Sequence, residues 1–312
     1  MPPLRSENRE LRTALVSGVS GPIGAALIPS LRTSGYSVVR LVRGAATGEG
    51  RISWDPAAPI QPATVSGFDA VIHLAGESIV GRWTAAKKSK IRDSRVLGTA
   101  HLAQALARAQ EKPGVFICAS AVGYYGDRGD EVLREDSSPG AGFLAQVCQE
   151  WENATRPANA AAIRTVQIRT GMVLSPSGGA LSKMLTPFKM GVGGKIGNGG
   201  QWMSWIDVQD MVGAIHHILK TDLPQDDPLQ GPVNLVAPNP VTNAEFTKTL
   251  AKVLSRPAIF PMPAFAARLA FGQMADELLL ASQRVEPTKL VASGYSFRYP
   301  ELQASLEEIL RK

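Results

Sequence analysis

Residues 13–17, Thr-Ala-Leu-Val-Ser, run without a break into Gly18-Val-Ser-Gly21-Pro-Ile-Gly24, and those into the apolar stretch Ala25-Ala-Leu-Ile28. A short apolar strand therefore ends in three glycines at G-x-x-G-x-x-G spacing, and the glycines open a helix over 23–33. A sharp strand-to-helix reversal favours glycine at the turn. A second glycine lets main-chain amides approach a ligand with no Cβ in the way, and a third lets helix and strand pack closely. The helix N-terminus adds partial positive charge at the same place. A turn of this kind predicts a seat for the pyrophosphate of a dinucleotide. Gly18, Gly21 and Gly24 are its first candidate contacts.

The second strand, Ser37-Val-Val-Arg-Leu-Val-Arg43, arrives on schedule. Sites that read the ribose 2′-hydroxyl of NAD place Asp or Glu at the end of this strand. Here it ends Leu41-Val-Arg43-Gly44, with no acid nearby. A guanidinium there suits a 2′-phosphate, which it can hold bidentately. The expected cofactor is NADP.

Strands and helices alternate onward from the turn. Buried runs at 68–75, 114–120 and 165–169 are separated by helical patterns at 85–110 and 143–161. This predicts an α/β fold with a doubly wound parallel sheet. The strands lack period-two alternation, as expected for a sheet covered on both faces. Beyond residue 174 the pattern changes. The stretch 191–200, Gly-Val-Gly-Gly-Lys-Ile-Gly-Asn-Gly-Gly, is too rich in glycine for a regular element. Helices are expected at 181–190 and 211–220, the latter capped by Asp210, and another runs to Leu254, capped by Thr242 or Asn243. A single apolar helix is expected over 265–280, with an extended piece at 295–300. The division is a flexible leader at 1–12, a cofactor-binding core at 13–174, and substrate-side segments with a smaller C-terminal lobe at 175–312, part of which completes the sheet.

The 312 residues hold 33 Lys and Arg against 27 Asp and Glu, a net charge of +6. The basic residues are spread along the chain without interleaved aromatics, so a nucleic-acid partner is not expected. Lys87 to Arg92 is the densest cluster and reads as a solvated helix face. No apolar run spans a bilayer and the first residues carry no secretory h-region, so a cytoplasmic protein without a membrane partner is expected. Cys118 and Cys148 read as buried thiols. The four histidines show no metal spacing, and no metal is expected.

Gly18-x-x-Gly21-x-x-Gly24, His73-Leu-Ala-Gly-Glu77, Ser94 to Thr99, Ala119 to Gly126 and Arg169 to Leu174 resemble the extended short-chain dehydrogenase/reductase superfamily. More narrowly they resemble its atypical branch of NAD(P)-dependent epimerase/dehydratase-like proteins, the sugar-nucleotide epimerase family. Ser204 to Asp210, Phe271 to Ala275 and Ser282 to Pro287 are similar to that branch too, including its C-terminal segment of unassigned role. The resemblance covers about 13–310. It implies a Rossmann fold with a smaller C-terminal lobe and the nicotinamide in the crevice between them. Carried over as cofactor contacts are the three glycines, Ile23, Arg43, Leu74, Ala75, Arg95 and Val173, with Lys90 as an addition. Oligomeric state by analogy is a monomer or a homodimer.

The resemblance also implies a Ser or Thr, a Tyr and a Lys four residues after the Tyr, for tuned proton transfer. These are missing. Ala121 stands where the polar residue belongs, with Ser120 one position early. Phe143 or Leu144 replaces the Tyr, and Val147 or Cys148 the Lys. Substitutes are Tyr124 and Tyr125, of which alternation lets one face the cleft, Ser120, and Glu77 at the carboxyl edge of the sheet. Trp202, Trp205 and the glycines of 191–200 are candidates to line and close a pocket. Two functions follow: an NADP-dependent oxidoreductase or epimerase acting on a nucleotide-sugar-like or other small polar substrate, or a catalytically silent NADP(H)-binding sensor or scaffold.

Overall fold

The computed structural model describes residues 12–220 and 229–311. The expected leader lies outside the described residues up to position 11, and Arg12 already belongs to the first strand. In chain order the first half runs β1 (Arg12–Ser17), α1 (Pro22–Thr33), β2 (Tyr36–Arg43), β3 (Arg51–Trp54), β4 (Ala70–His73), α2 (Ala85–Arg108), β5 (Val115–Ala121) and β6 (Val132–Leu133). Then come α3 (Phe143–Asn153), α4 (Arg156–Ala160), β7 (Arg164–Thr170), β8 (Met172–Leu174) and α5 (Gly179–Lys189). The remainder is β9 (Trp202–Met203), β10 (Trp205–Asp207), α6 (Val208–Leu219), β11 (Gly231–Leu235), β12 (Val241–Thr242), α7 (Asn243–Leu254), α8 (Ala264–Phe271), β13 (Arg284–Val285), α9 (Thr288–Ala292) and α10 (Leu302–Leu310).

Seven strands form one sheet in the order β11-β7-β5-β4-β1-β2-β3, every pair parallel. This is the doubly wound Rossmann arrangement. From β1 the chain winds outward to β2 and β3, then returns to β4 on the other side. The reversal leaves a crevice beyond the carboxyl ends of β1 and β4, where ligands bind in such sheets. On one face Leu27 and Leu31 of α1 share a core with Ile215 and Ile218 of α6. On the other, Leu102 and Leu106 of α2 pack with Phe116 of β5 and Trp151 of α3. Each such side chain contributes about 1.5–3 kcal/mol by leaving water.

Several expected boundaries move for identifiable reasons. α6 begins at Val208, three residues before the expected start, because Asp207 caps it by accepting from the Gln209 amide at 2.7 Å. Asp210 is therefore not the cap. Its buried carboxylate accepts from the Tyr295 hydroxyl and from the Arg298 and Tyr299 amides at 2.7–3.0 Å, fixing the C-terminal loop. Thr242 caps α7 in a reciprocal box with Glu245. The helix expected over 265–280 stops at Phe271, where Gly272 takes φ +61, and a single π turn follows at Ala275–Leu279. Gly at that position ends a helix at no steric cost.

Candidate cofactor and active site

The glycine turn closes over the crevice with each glycine in a distinct situation. Gly18 follows β1 with φ +72, and a Cβ there would collide with the Leu74 carbonyl at the end of β4. Gly24 lies in the first turn of α1, where a Cβ would strike the Gly18 carbonyl oxygen at 2.5 Å. These two are glycines because the protein itself leaves no room. Gly21 differs. Its φ is −77, open to any residue, and a Cβ would meet only the Gly18 oxygen at 3.4 Å. Nothing in the chain requires glycine at 21, whereas a phosphate held against its main chain would.

α1 is prepared for such an anion. Its first turn holds no acidic side chain, its N-cap makes no side-chain hydrogen bond, and Pro22 occupies N1, where its missing N–H costs nothing. The orphan amides and the helix dipole are left for a ligand. Ile23, Leu74 and Val173, half-buried, each pack against the core that α1 shares with α6. Ala75 packs against the opposite core. Of the expected cofactor residues, the three glycines, Ile23, Leu74, Ala75 and Val173 thus converge on one crevice.

The charged candidates lie to one side of it. Arg43 is exposed at the end of β2 and has no ion-pair partner among the described residues. It borders a groove of about 600 Å³ with Ser53, Trp54, Asp55 and Pro56 from the end of β3. Sequence reasoning missed this wall, because β3 is only four residues long and half of it is exposed. Lys90 is exposed on α2. Glu77 pairs with Lys87 at 2.8 Å, and its carboxyl is held below the usual range by that hydrogen bond, with further help from the charges of Lys87, Arg43 and Lys90. Arg95 donates to the Glu77 and Ile91 carbonyls at 2.9 and 3.1 Å, and a Cβ on Gly76 would sit 3.2 Å from its guanidinium. It braces the connection from β4 to α2.

The candidate catalytic residues are mostly committed elsewhere. Ser120 donates to Glu152 at 2.7 Å, and Glu152 holds the buried Arg169 bidentately at 2.8 and 2.9 Å. Arg169 donates to the Tyr125 hydroxyl at 2.9 Å, and that hydroxyl donates to Asn234 on β11 at 2.8 Å. Tyr125 is wholly buried, and burial pushes its phenol up to about 12 against the opposing pull of Arg169. It is a core residue. Tyr124 is half-buried, its ring 3.5 Å from the Arg169 guanidinium, and its hydroxyl has no hydrogen-bond partner among the described residues. Glu152, Arg169 and Asn234 formed no part of the expected site. A buried charged pair spanning β5, α3 and β7 has no local sequence signature.

α3 starts where the superfamily's tyrosine would stand. Phe143 meets the Trp83 ring edge-on at 5.3 Å, and the Phe143 and Leu144 amides are capped by the Glu277 carboxylate at 3.1 and 2.8 Å. Val147 and Cys148 are buried, and burial pushes the Cys148 thiol up to about 12, so it carries no thiolate at neutral pH. Trp205 is fully buried, and Trp202 donates to Asp130 at 2.8 Å. Gly193 and Gly194 are crowded by Phe188 and Phe260, so the 191–200 segment is packed in place. Among the described residues no cluster of His, Cys, Asp and Glu could hold a metal ion, and no helix is long and apolar enough to cross a membrane.

Residues 14–229 match the model of the NAD dependent epimerase/dehydratase family, and residues 262–309 match a domain of unknown function, DUF1731. The chain is 42% identical over 293 residues to the epimerase family protein Mb2239 of Mycobacterium bovis, covering 93% of this chain and 95% of that one. It is 36% identical to the human epimerase family protein SDR39U1, covering 95% and 99%. The crystal structure of human SDR39U1 (isoform 2) with NADPH superposes with a TM-score of 0.86 at 35% identity, covering 95% of this chain and 98% of that one. A nucleoside-diphosphate sugar epimerase from Corynebacterium glutamicum gives 0.78 at 39% identity, covering 96% of this chain and 58% of that one.

Proposed function

The chain belongs to the NAD dependent epimerase/dehydratase family, and from that premise we propose that it binds NADP(H) in the crevice between β1 and β4. The carrying observation is Gly21, a glycine that the protein's own packing does not require, at the uncapped N-terminus of α1. The pyrophosphate lies against the 18–24 turn, Arg43 meets the 2′-phosphate, and the nicotinamide supplies hydride chemistry when bound. SDR39U1, similar over nearly the whole chain, was crystallised with NADPH, which supports this reading. Calorimetry tests it. NADPH should bind more tightly than NADH, and Arg43→Ala should weaken NADPH about 10–100-fold, the scale of a charge-assisted pair, while leaving NADH unchanged. Equal NADPH affinity in that variant would remove the 2′-phosphate assignment.

For the reaction, we favour one proton-handling group of the four considered. Tyr124 keeps a hydroxyl without a hydrogen-bond partner among the described residues just beyond the carboxyl end of β5, with the Arg169 guanidinium 3.5 Å from its ring. We therefore favour an oxidoreductase or epimerase acting on a nucleotide-sugar-like or small polar substrate, with Tyr124 as the proton group. The alternative, a silent NADP(H)-binding sensor, draws support from Phe143 or Leu144 at the place of the usual Tyr and Val147 or Cys148 at that of the Lys. Turnover across a panel of nucleotide sugars and carbonyls, followed at the nicotinamide absorbance, separates them. Loss of turnover in Tyr124→Phe with NADPH affinity intact supports the first. No turnover anywhere with tight NADPH binding supports the second.

A further inference from the structure

Eleven large apolar side chains are exposed among the described residues, and seven of them lie on two short stretches. Met190 and Val192 follow α5, exposed 70% and 50%. Ile259, Phe260 and Met262 lie between α7 and α8, with Ile259 exposed 71%. The two stretches are joined by main-chain hydrogen bonds, Phe260 to Gly193 at 3.3 Å and Met262 to Lys195 at 2.9 Å. Phe265 and Leu269, exposed 71% and 76%, then share one face of α8. Scattered apolar residues on a surface need no explanation, but a contiguous set marks an interaction site.

Charge identifies what covers it. The basic residues look evenly spread in the sequence, but the acidic ones are not. From 178 to 200 there are three lysines and no acid, and from 246 to 270 three cations of α7 and its C-terminal end plus Arg268, again with no acid. Removing these seven from the chain's 33 basic residues leaves 26 against 27 acidic, so the net positive charge resides on these two segments. Lys195, Lys248, Lys252 and Arg256 line a groove of about 790 Å³ with Ile259. Among the described residues Arg268 alone of the seven pairs with a carboxylate, Asp276 at 2.7 Å.

We infer that this face docks peripherally on an anionic lipid surface. Exposed Ile, Phe, Leu and Met beside Lys and Arg, six of the seven without an ion pair among the described residues, match the two needs of such a contact, apolar groups for the acyl boundary and cations for the headgroups. A two-fold dimer fits less well, because a self-complementary contact would set these cations against their own copies, and the one carboxylate paired among them, Asp276, is already held by Arg268. Nucleic acid fits less well, since exposed aliphatic side chains gain nothing from a phosphate backbone. The contact lies on the surface and needs no spanning helix. It is independent of cofactor binding.

The full-length protein is sedimented with vesicles of phosphatidylcholine alone or mixed with phosphatidylglycerol. It should pellet with the anionic vesicles only and be released by salt. Lys248→Glu with Lys252→Glu should lower the partition coefficient about tenfold or more, each cation counting near a charged surface. Ile259→Ser with Phe260→Ser should lower it comparably while the remaining binding stays salt-sensitive. Circular dichroism and NADPH affinity like those of the parent protein verify that both variants fold. Absence of pelleting with anionic vesicles, or pelleting of both variants like the parent, overturns the inference. So does light scattering that shows a dimer dissolved by Ile259→Ser with Phe260→Ser, or retention on duplex DNA, without vesicle binding.

Discussion

At the scale of single residues, Gly18 and Gly21 separate what the fold needs from what the ligand needs. Gly18→Ala forces a side chain into positive φ and into the Leu74 carbonyl, and should destabilise the protein by about 1–3 kcal/mol in urea unfolding. Gly21→Ser places a favoured N-cap residue in open space, so unfolding should change by under about 0.5 kcal/mol. NADPH affinity should nevertheless fall more than about tenfold, or 1.4 kcal/mol, when followed by calorimetry. His73 offers a second handle. It is fully buried, bonded to Ser17 through Nδ1 at 2.7 Å, and burial lowers its pKa to about 4. The unfolded chain, with the ordinary histidine value near 6.5, binds the extra proton first. Stability is therefore full above about pH 6.5 and falls as the pH drops toward 4, by a few kcal/mol. A His73→Gln variant should lose that part of the slope in unfolding measured from pH 7 to 5. Such a pH effect is invisible in the sequence, where His73 is one residue of an apolar run.

At the scale of elements, the link from the π turn to α3 is testable. Glu277 serves as an N-cap from more than a hundred residues away, and Glu277→Ala should cost about 1 kcal/mol in thermal or urea unfolding. Glu277→Gln should recover part of it, since its amide oxygen still accepts one bond. Legibility follows the same division between local and distant. The strand, turn and helix of 13–33 were readable because each residue's role is set by its neighbours: apolar run, glycine turn, Pro at N1. The parallel core strands were readable from unbroken apolar runs. The start of α6 was misread because two aspartates three apart both suit a cap, and only the distant Tyr295 and Arg298 decide which one turns away. The split of the 265–280 helix was misread because apolar periodicity continued through Gly272, whose positive φ outweighed it. In the site, the cofactor glycines were legible and the Ser120–Glu152–Arg169–Tyr125 chain was not, since its members lie up to 49 positions apart in the sequence.

At the scale of the molecule, cofactor binding should show as a rise in stability. A ligand that binds only the folded state at about 100 times its dissociation constant adds about 2.7 kcal/mol. Unfolding midpoints should therefore rise with NADPH and less with equal NADH, and the difference should vanish in Arg43→Ala. The seventh strand carries a further consequence. β11 is supplied by residues 231–235, long after its neighbour β7, and it brings the Asn234 amide that accepts from Tyr125. While the chain is leaving the ribosome, β7 is a naked ladder edge of the sort that invites pairing with strangers, and the Tyr125 phenol beneath it lacks its acceptor. Guarding that rim during synthesis, whether by speed of translation or by a chaperone, is a demand the finished protein no longer makes.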